Sequence, residues 1–101
     1  MPGFVQIMEI KSSRFEELEA LMEKMRAERG DTMLATRSVI TADRDRPGYY
    51  FAIIEFDSYE EAMKNSNDPV TSEYAEKITA MLEGPQIFHD LDVRSVIHTR
   101  G

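Results

Sequence analysis

The chain has no cysteine and no tryptophan, and it has only five glycines, four prolines and two histidines in 101 residues. The lack of cysteine excludes disulfide bonds, thiolate nucleophiles and cysteine-ligated zinc, and it is typical of a cytosolic protein. The glycines form neither a phosphate-binding loop nor a dinucleotide-binding fingerprint. Because the two histidines also lack the spacing of a metal site, we expect no metal and no cofactor.

Excess positive charge and long apolar runs are missing as well. The 12 basic and 19 acidic residues give a formal net charge of −7, whereas nucleic acids and anionic lipids bind basic surfaces. The longest apolar run, Tyr49 to Ile54, is far shorter than the ~20 residues that span a bilayer. The first residues do not form a basic region followed by a long apolar stretch, so we expect no secretory signal. These features predict a cytoplasmic protein that binds neither nucleic acid nor membrane.

The pattern along the chain predicts four strands within one domain, residues 1–101, because no repeat, low-complexity tract or linker divides it. Phe4–Ile10 and Tyr49–Phe56 are apolar at both alternating positions, as in central strands that are covered on both sides. Leu34–Ala42 is β-branched but more polar, which is typical of an edge strand. Gln86–His98 predicts a long last strand.

Capping signals predict where the helices begin and end. Ser13–Glu16 and Ser58–Glu61 both have the Ser-x-x-Glu pattern of a capping box. Asp68 followed by Pro69 is typical of an N-cap with proline in the first turn, and Gly30 is expected to end the first helix. The expected buried stripe of the last helix comprises Val70, Tyr74, Ile78, Met81 and Leu82.

The resulting order is β-α-β-β-α-β, which predicts an α+β, ferredoxin-like sandwich. Its four-stranded antiparallel sheet would have the first and third strands in the centre. The helical elements can cover only one face of such a sheet, yet both central strands are apolar on both faces. We therefore expect a second copy of the chain to cover the other face, as a two-fold homodimer packed sheet to sheet.

Three sequence features resemble a known superfamily: the β-α-β-β-α-β order, the opening FVQIMEI and the junction YYFAIIEF-x-SYEEAM. They are similar to the dimeric α/β-barrel proteins of the antibiotic-biosynthesis-monooxygenase-like superfamily, in which a strand runs into a helix beginning Ser-x-Glu-Glu-Ala, here Ser58 to Ala62. The stretch ITADRDRPGYYFAIIEF with NSNDP is especially similar to short uncharacterised actinobacterial members. The resemblance covers nearly the whole chain and implies a fold rather than one activity. The superfamily includes cofactor-free oxygenases of polycyclic aromatic compounds, haem-degrading enzymes and stress-response proteins.

The resemblance does not extend to haem degradation. Haem-degrading members resemble one another in having an asparagine on the first strand, a tryptophan and a helical histidine. This chain has no tryptophan, and Met8 lies near where the asparagine would fall. Neither His89 nor His98 lies on a predicted helix, so the other branches of the superfamily are favoured.

His89 is the candidate catalytic residue. On a regular last strand it shares a face with apolar residues, and a histidine on an apolar face can act as a general base. The alternative is a partly buried histidine that is satisfied by one hydrogen-bonding partner. Asp90 and Asp92 share the opposite face, where they would meet solvent or form salt bridges with Arg94 or a partner chain. The apolar residues that share the face of His89 are Ile87, Leu91 and Val93.

Four other polar side chains are candidate ligand-binding residues. Gln6 interrupts an apolar strand, so its amide would bind a carbonyl or hydroxyl group, or pair with a neighbour in the core. Arg37 would bind an acidic or phenolate ligand, or reach solvent from an edge strand. Asn65 falls where members of the superfamily often line the pocket mouth, although it is also typical of helix capping. Tyr74 would offer its hydroxyl group to an aromatic substrate or belong to the core.

The sequence therefore leaves two functions open. The first is a cofactor-independent, monooxygenase-like enzyme that acts on a small aromatic or polyketide-like molecule, with His89 as the base and Gln6 or Arg37 orienting the substrate. The second is a non-catalytic dimeric barrel that binds a small molecule or acts in stress response. In both cases we expect the ligand between the helices and the sheet.

Overall fold

The computed structural model describes residues 3–100, which form a four-stranded antiparallel sheet and three α-helices. The strands pair in the order β2-β3-β1-β4, which confirms the predicted α+β, ferredoxin-like arrangement with the first and third strands in the centre. None of the described helices is long and apolar enough to cross a membrane. The strands are β1 (Phe4–Lys11), β2 (Ala35–Ala42), β3 (Tyr49–Phe56) and β4 (Ile87–Asp92), and the helices are α1 (Phe15–Arg29), α2 (Tyr59–Asn67) and α3 (Pro69–Thr79).

The pairing register defines the two sides of the sheet. Residues that face each other on neighbouring strands point to the same side, and Phe4 is paired with Phe56. Both rings are buried with Ala62 of α2, so we call this the helix-facing side. Because alternate residues of a strand point to the same side, Gln6 also lies on the helix-facing side. Ile7 lies on the opposite side, which we call the open side.

The hydrophobic core lies between the helix-facing side and the helices. Phe15 of α1 stacks on Tyr50 of β3 with 3.9 Å between the ring centroids. Phe4 contacts Tyr59 of α2 edge to face, at 5.3 Å. These aromatic contacts fix α1 and α2 on the same side of the sheet, and α3 packs against both helices. The buried apolar residues are Phe4, Ile10, Leu18, Ala52, Phe56, Ala62 and Tyr74.

Three of the predicted helix ends are confirmed. The Ser58 hydroxyl group accepts a hydrogen bond from the backbone N–H of Glu61 at 3.1 Å, which begins α2. The Asp68 carboxylate accepts one from the backbone N–H of Val70 at 2.8 Å, which begins α3. Gly30 follows the last residue of α1 with a φ of +51°, a conformation that glycine adopts without a steric penalty.

The predicted cap at Ser13 is wrong. Helix α1 begins after Arg14 and has no side-chain cap. Instead, the hydroxyl group of Ser12 accepts from the backbone N–H of Arg14 at 3.0 Å and donates to the carbonyl of Met81 at 2.8 Å. This long-range bond to the loop after α3 makes Ser12, rather than Ser13, the serine that shapes the start of the helix.

The predicted last strand over 86–98 is also too long. Strand β4 pairs only with β1, and Asp92 stands opposite Phe4, the first residue of β1. One more bond follows, from the backbone N–H of Val93 to the carbonyl of Gly3 at 3.1 Å. In the described part of the chain no later residue pairs with β1, so the last strand is shorter than predicted.

The open side has an apolar centre between two charged ends. At one end Arg37 of β2 lies 3.0 Å from the Glu55 carboxylate, and at the other Arg46 lies 3.0 Å from the Glu9 carboxylate. The three helices lie on the opposite side and leave this surface uncovered in the single chain. A second copy that covers it stays a prediction. The central apolar residues are Val5, Ile7, Val39, Ile53 and Leu91.

Candidate ligand-binding site

The predicted base, His89, and the predicted ligand-binding residue Gln6 lie on opposite sides of the sheet. His89 pairs with Ile7 and therefore lies on the open side, whereas Asp90 pairs with Gln6 on the helix-facing side. His89 and Asp90 therefore point to opposite sides of the sheet, as the sequence predicted. However, the structure does not bring His89 and Gln6 into one site, because the sheet lies between their side chains.

Gln6 is joined to a side chain that was not predicted as a ligand-binding residue. Its Nε2 donates a hydrogen bond to Oδ1 of Asp90 at 3.0 Å. The next position of β4 on the same side is Phe88, which pairs with Met8 and is 53% exposed. An amide, a carboxylate, an aromatic ring and a thioether thus share one surface of β1 and β4. We call these four residues, Gln6, Met8, Phe88 and Asp90, the Gln6–Asp90 site.

Arg37 lies away from this site, on the open side of edge strand β2. Its side chain is exposed, and Nη1 donates to the Glu55 carboxylate of β3 at 3.0 Å. The arginine therefore reaches solvent from an edge strand, one of the two arrangements that the sequence left open. An acidic ligand at this position would have to displace Glu55 from Arg37.

Asn65 belongs to a polar cluster at the junction of the three helices. Its Oδ1 accepts a hydrogen bond from the Thr71 hydroxyl group at 3.4 Å. Arg29, at the end of α1 and only 8% exposed, donates to the same Thr71 hydroxyl group at 2.9 Å. A second nitrogen of Arg29 lies 3.5 Å from the Asp68 carboxylate. The side chain of Asn65 therefore helps to hold α2 and α3 against the end of α1.

Tyr74 lies in the middle of α3 and is 3% exposed. Its hydroxyl group donates a hydrogen bond to the Glu28 carboxylate of α1. This bond, and secondarily burial, raises the pKa of Tyr74 above its ordinary value. At neutral pH the phenol therefore keeps its proton and acts as a donor to Glu28, which makes it a link between helices rather than a base.

Two surface cavities lie elsewhere. One, of about 600 Å³, lies along α2 and includes Tyr59, Met63 and Asp68. The other, of about 520 Å³, surrounds the start of α1 and includes Gly48 and Tyr50. Neither is lined by any of the five predicted site residues. Across residues 3–100, no group of three or more histidine, aspartate and glutamate side chains is arranged to hold a metal ion.

The sheet order and the helices on one side of the sheet define a ferredoxin-like fold. Solved structures with this fold include a variant of SnoaB, a cofactor-independent oxygenase from Streptomyces nogalater. The two structures superpose with a TM-score of 0.80 and share 13% sequence identity, and the match covers 96% of this chain and 98% of SnoaB. A conserved protein from Methanosarcina mazei Go1 has a TM-score of 0.78, 8% identity and coverage of 91% and 93%. An antibiotic biosynthesis monooxygenase has a TM-score of 0.72, 12% identity and coverage of 91% and 99%.

These similarities are similarities of fold. No protein-family model and no curated protein matches the sequence. At identities of 8% to 13%, the chain has the fold of antibiotic-biosynthesis-monooxygenase-like proteins, which confirms the resemblance of its sequence to them. Its activity has to be argued from its own residues.

Proposed function

We propose that this chain is a dimeric, monooxygenase-like enzyme that acts without a cofactor on a small aromatic or polyketide-like molecule. The observation that carries the proposal is the fold similarity, over 96% of the chain, to a cofactor-independent oxygenase. The Gln6–Asp90 site supports it, because an exposed aromatic ring lies beside hydrogen-bonding groups on the helix-facing side of the sheet. Ligand sites commonly combine an apolar surface with a few polar groups that fix orientation.

The homodimer is part of this proposal. In a two-fold dimer the same surface of each copy packs against its counterpart. The apolar centre of the open side, which includes Ile7 and Ile53, would then be removed from water. The charged pairs at its two ends would lie at the rim, where hydration is retained. His89 would lie within or beside this interface because it pairs with Ile7.

An oxygenase that acts without a cofactor can use only certain classes of substrate. The electrons that reduce O₂ must come from the substrate itself, which therefore has to be electron-rich. When an activated ring methylene is oxidised to a carbonyl group, four electrons pass to O₂; one oxygen atom enters the carbonyl and the other leaves as water with the two protons of the methylene. The protein has to bind the ring and orient the group that loses the proton. Gln6 and Asp90 are positioned to orient such a group on the helix-facing side.

Oxygen consumption with an anthrone tests this function. Uptake of O₂ above the rate without protein is expected, with one atom of isotopically heavy dioxygen in the product. Gln6→Leu should lower kcat/KM by about ten-fold, the value of one lost hydrogen bond to a reacting group. His89→Ala is the matched comparison on the open side. If only His89→Ala loses activity, the substrate would bind between the two copies. If electron-rich aromatic compounds cause no O₂ uptake at all, the proposal is contradicted.

A non-catalytic ligand-binding barrel is the second candidate, and one observation favours it. The predicted base His89 lies on the open side of the sheet, away from the Gln6–Asp90 site, so that site offers an aromatic ring and polar groups but no histidine base. A small molecule retained on the dimer in native mass spectrometry, without turnover in air, would support this second function.

A further inference from the structure

The helix-facing side of β4 carries side chains that the helices leave accessible. Phe88 and Asp90 occupy successive positions on this side, opposite Met8 and Gln6 of β1. Phe88 is 53% exposed and Asp90 is also exposed. An exposed aromatic ring beside a methionine offers an apolar surface on which another flat ring can stack.

The carboxylate of Asp90 is held in position but is not saturated. The bond from Gln6 Nε2 uses Oδ1, whereas an ionised carboxylate offers two oxygens and about four acceptor positions. A second donor can therefore bind without displacing Gln6. The amide of Gln6 holds this carboxylate two positions from Phe88 on the same side of β4, so a ligand stacked on the ring could reach Asp90 with a donor group.

The charges around Asp90 determine which ligands fit. In the part of the chain that the structure describes, no ion pair includes Asp90. Asp92 lies two residues further on the same side of β4, opposite Phe4, and the whole chain carries a net charge of −7. An anionic ligand would meet like charge here, whereas a neutral hydroxyl group would donate a charge-assisted hydrogen bond.

We propose that the Gln6–Asp90 site selects neutral, hydroxyl-bearing aromatic molecules, with the ring on Phe88 and the hydroxyl group donating to the Asp90 carboxylate. This inference rests on the proposed function and narrows its substrate class to phenols. It assigns Asp90 as the specificity-determining residue, with Gln6 as the positioning residue that orients its carboxylate. It also excludes aromatic carboxylates as the preferred ligands.

Binding of a matched pair of probes tests the proposal. The probes are a naphthol, neutral at neutral pH, and the naphthoate substituted at the same ring position, titrated against the full chain by fluorescence. The naphthol should bind about ten-fold more tightly than the naphthoate, the ratio expected for one charge-assisted hydrogen bond. Equal affinities, or tighter binding of the naphthoate, would overturn the proposal.

Two variants of β4 separate a specific contact from general electrostatics. Asp90→Asn removes the charge but keeps an oxygen that Gln6 can bind, so it should fold and should bring the affinity ratio close to one. Asp92→Asn, the matched control, removes the same charge from the same side but no hydrogen bond to the ligand, so it should lower the ratio far less than Asp90→Asn does. An unchanged ratio in Asp90→Asn, or an equal loss in both variants, would overturn the assignment.

The same measurements distinguish this inference from the proposed function. Selective naphthol binding that depends on Asp90, without O₂ uptake by any electron-rich aromatic compound, would support the site and contradict the oxygenase. Oxygen uptake whose kcat/KM and substrate preference are unchanged in Asp90→Asn would support the oxygenase and overturn the role of Asp90.

Discussion

Replacing Phe56 with alanine tests where the core lies. Phe56 ends β3, is 1% exposed and packs with Phe4 and Ala62, so its removal leaves a cavity between a central strand and α2. Truncating a buried phenylalanine costs about 3–5 kcal/mol of unfolding free energy, out of about 5–15 kcal/mol for a whole domain. At about 4–8 °C per kcal/mol, the melting temperature should fall by about 12–40 °C.

Urea unfolding followed by circular dichroism measures this loss. The midpoint should fall while the m value stays constant, because the surface exposed on unfolding is nearly unchanged. Both proteins should be compared at the same concentration, since the stability of the proposed dimer would depend on concentration. Tyr59→Ala is the control, because this ring is 50% exposed and its edge-to-face contact is worth at most about 1.5 kcal/mol. If Phe56→Ala costs no more than Tyr59→Ala, the core assigned to the helix-facing side is refuted.

Three further predictions concern charge and assembly. The raised pKa of Tyr74, caused first by its bond to Glu28, gives stability that is complete below about pH 10 and is lost as the pH rises through the folded-state pKa; Tyr74→Phe should remove this alkaline loss in thermal melts. The pKa of Asp43 is lowered by a backbone N–H two residues on and then by Arg46, so its contribution is complete above about pH 4 and is lost as the pH falls. Urea midpoints of Asp43→Asn should accordingly depend less on acidic pH. Ile53→Lys should place a charge at the centre of the open side and shift the native mass spectrum from dimer to monomer, and a persistent dimer would contradict the sheet-to-sheet arrangement.

Local signals were sufficient to predict most of the fold. Strand β3 has the predicted bounds, because its apolar run is preceded by a Pro-Gly turn and followed by the cap at Ser58. The length of β4 was not predictable in the same way, because it is set by the point where β1 begins at Phe4. Likewise, Ser12 replaces Ser13 near the start of α1 through a bond to Met81, which is distant in sequence.

The candidate site was predictable only in part, because it also depends on contacts between residues that are distant in sequence. The alternation of β4 correctly separated His89 from Asp90, but the sequence does not reveal which of them meets the helices. That assignment requires the register that pairs Gln6 with Asp90. The role of Tyr74 was also undecided, because its partner Glu28 lies 46 positions earlier on another helix.

The two-residue alternation of β4 has an evolutionary consequence. Substitutions at Phe88 or Asp90 alter the surface beside the helices, whereas those at His89 or Leu91 alter the surface that a second copy would cover. If the proposed site and the proposed dimer are both present, ligand preference and self-association would therefore diverge independently through point substitutions in one short edge strand. A one-residue insertion or deletion just before the strand would instead exchange the two sets of side chains at once. We therefore expect descendants of this chain to vary in the residues of β4 but to conserve its length.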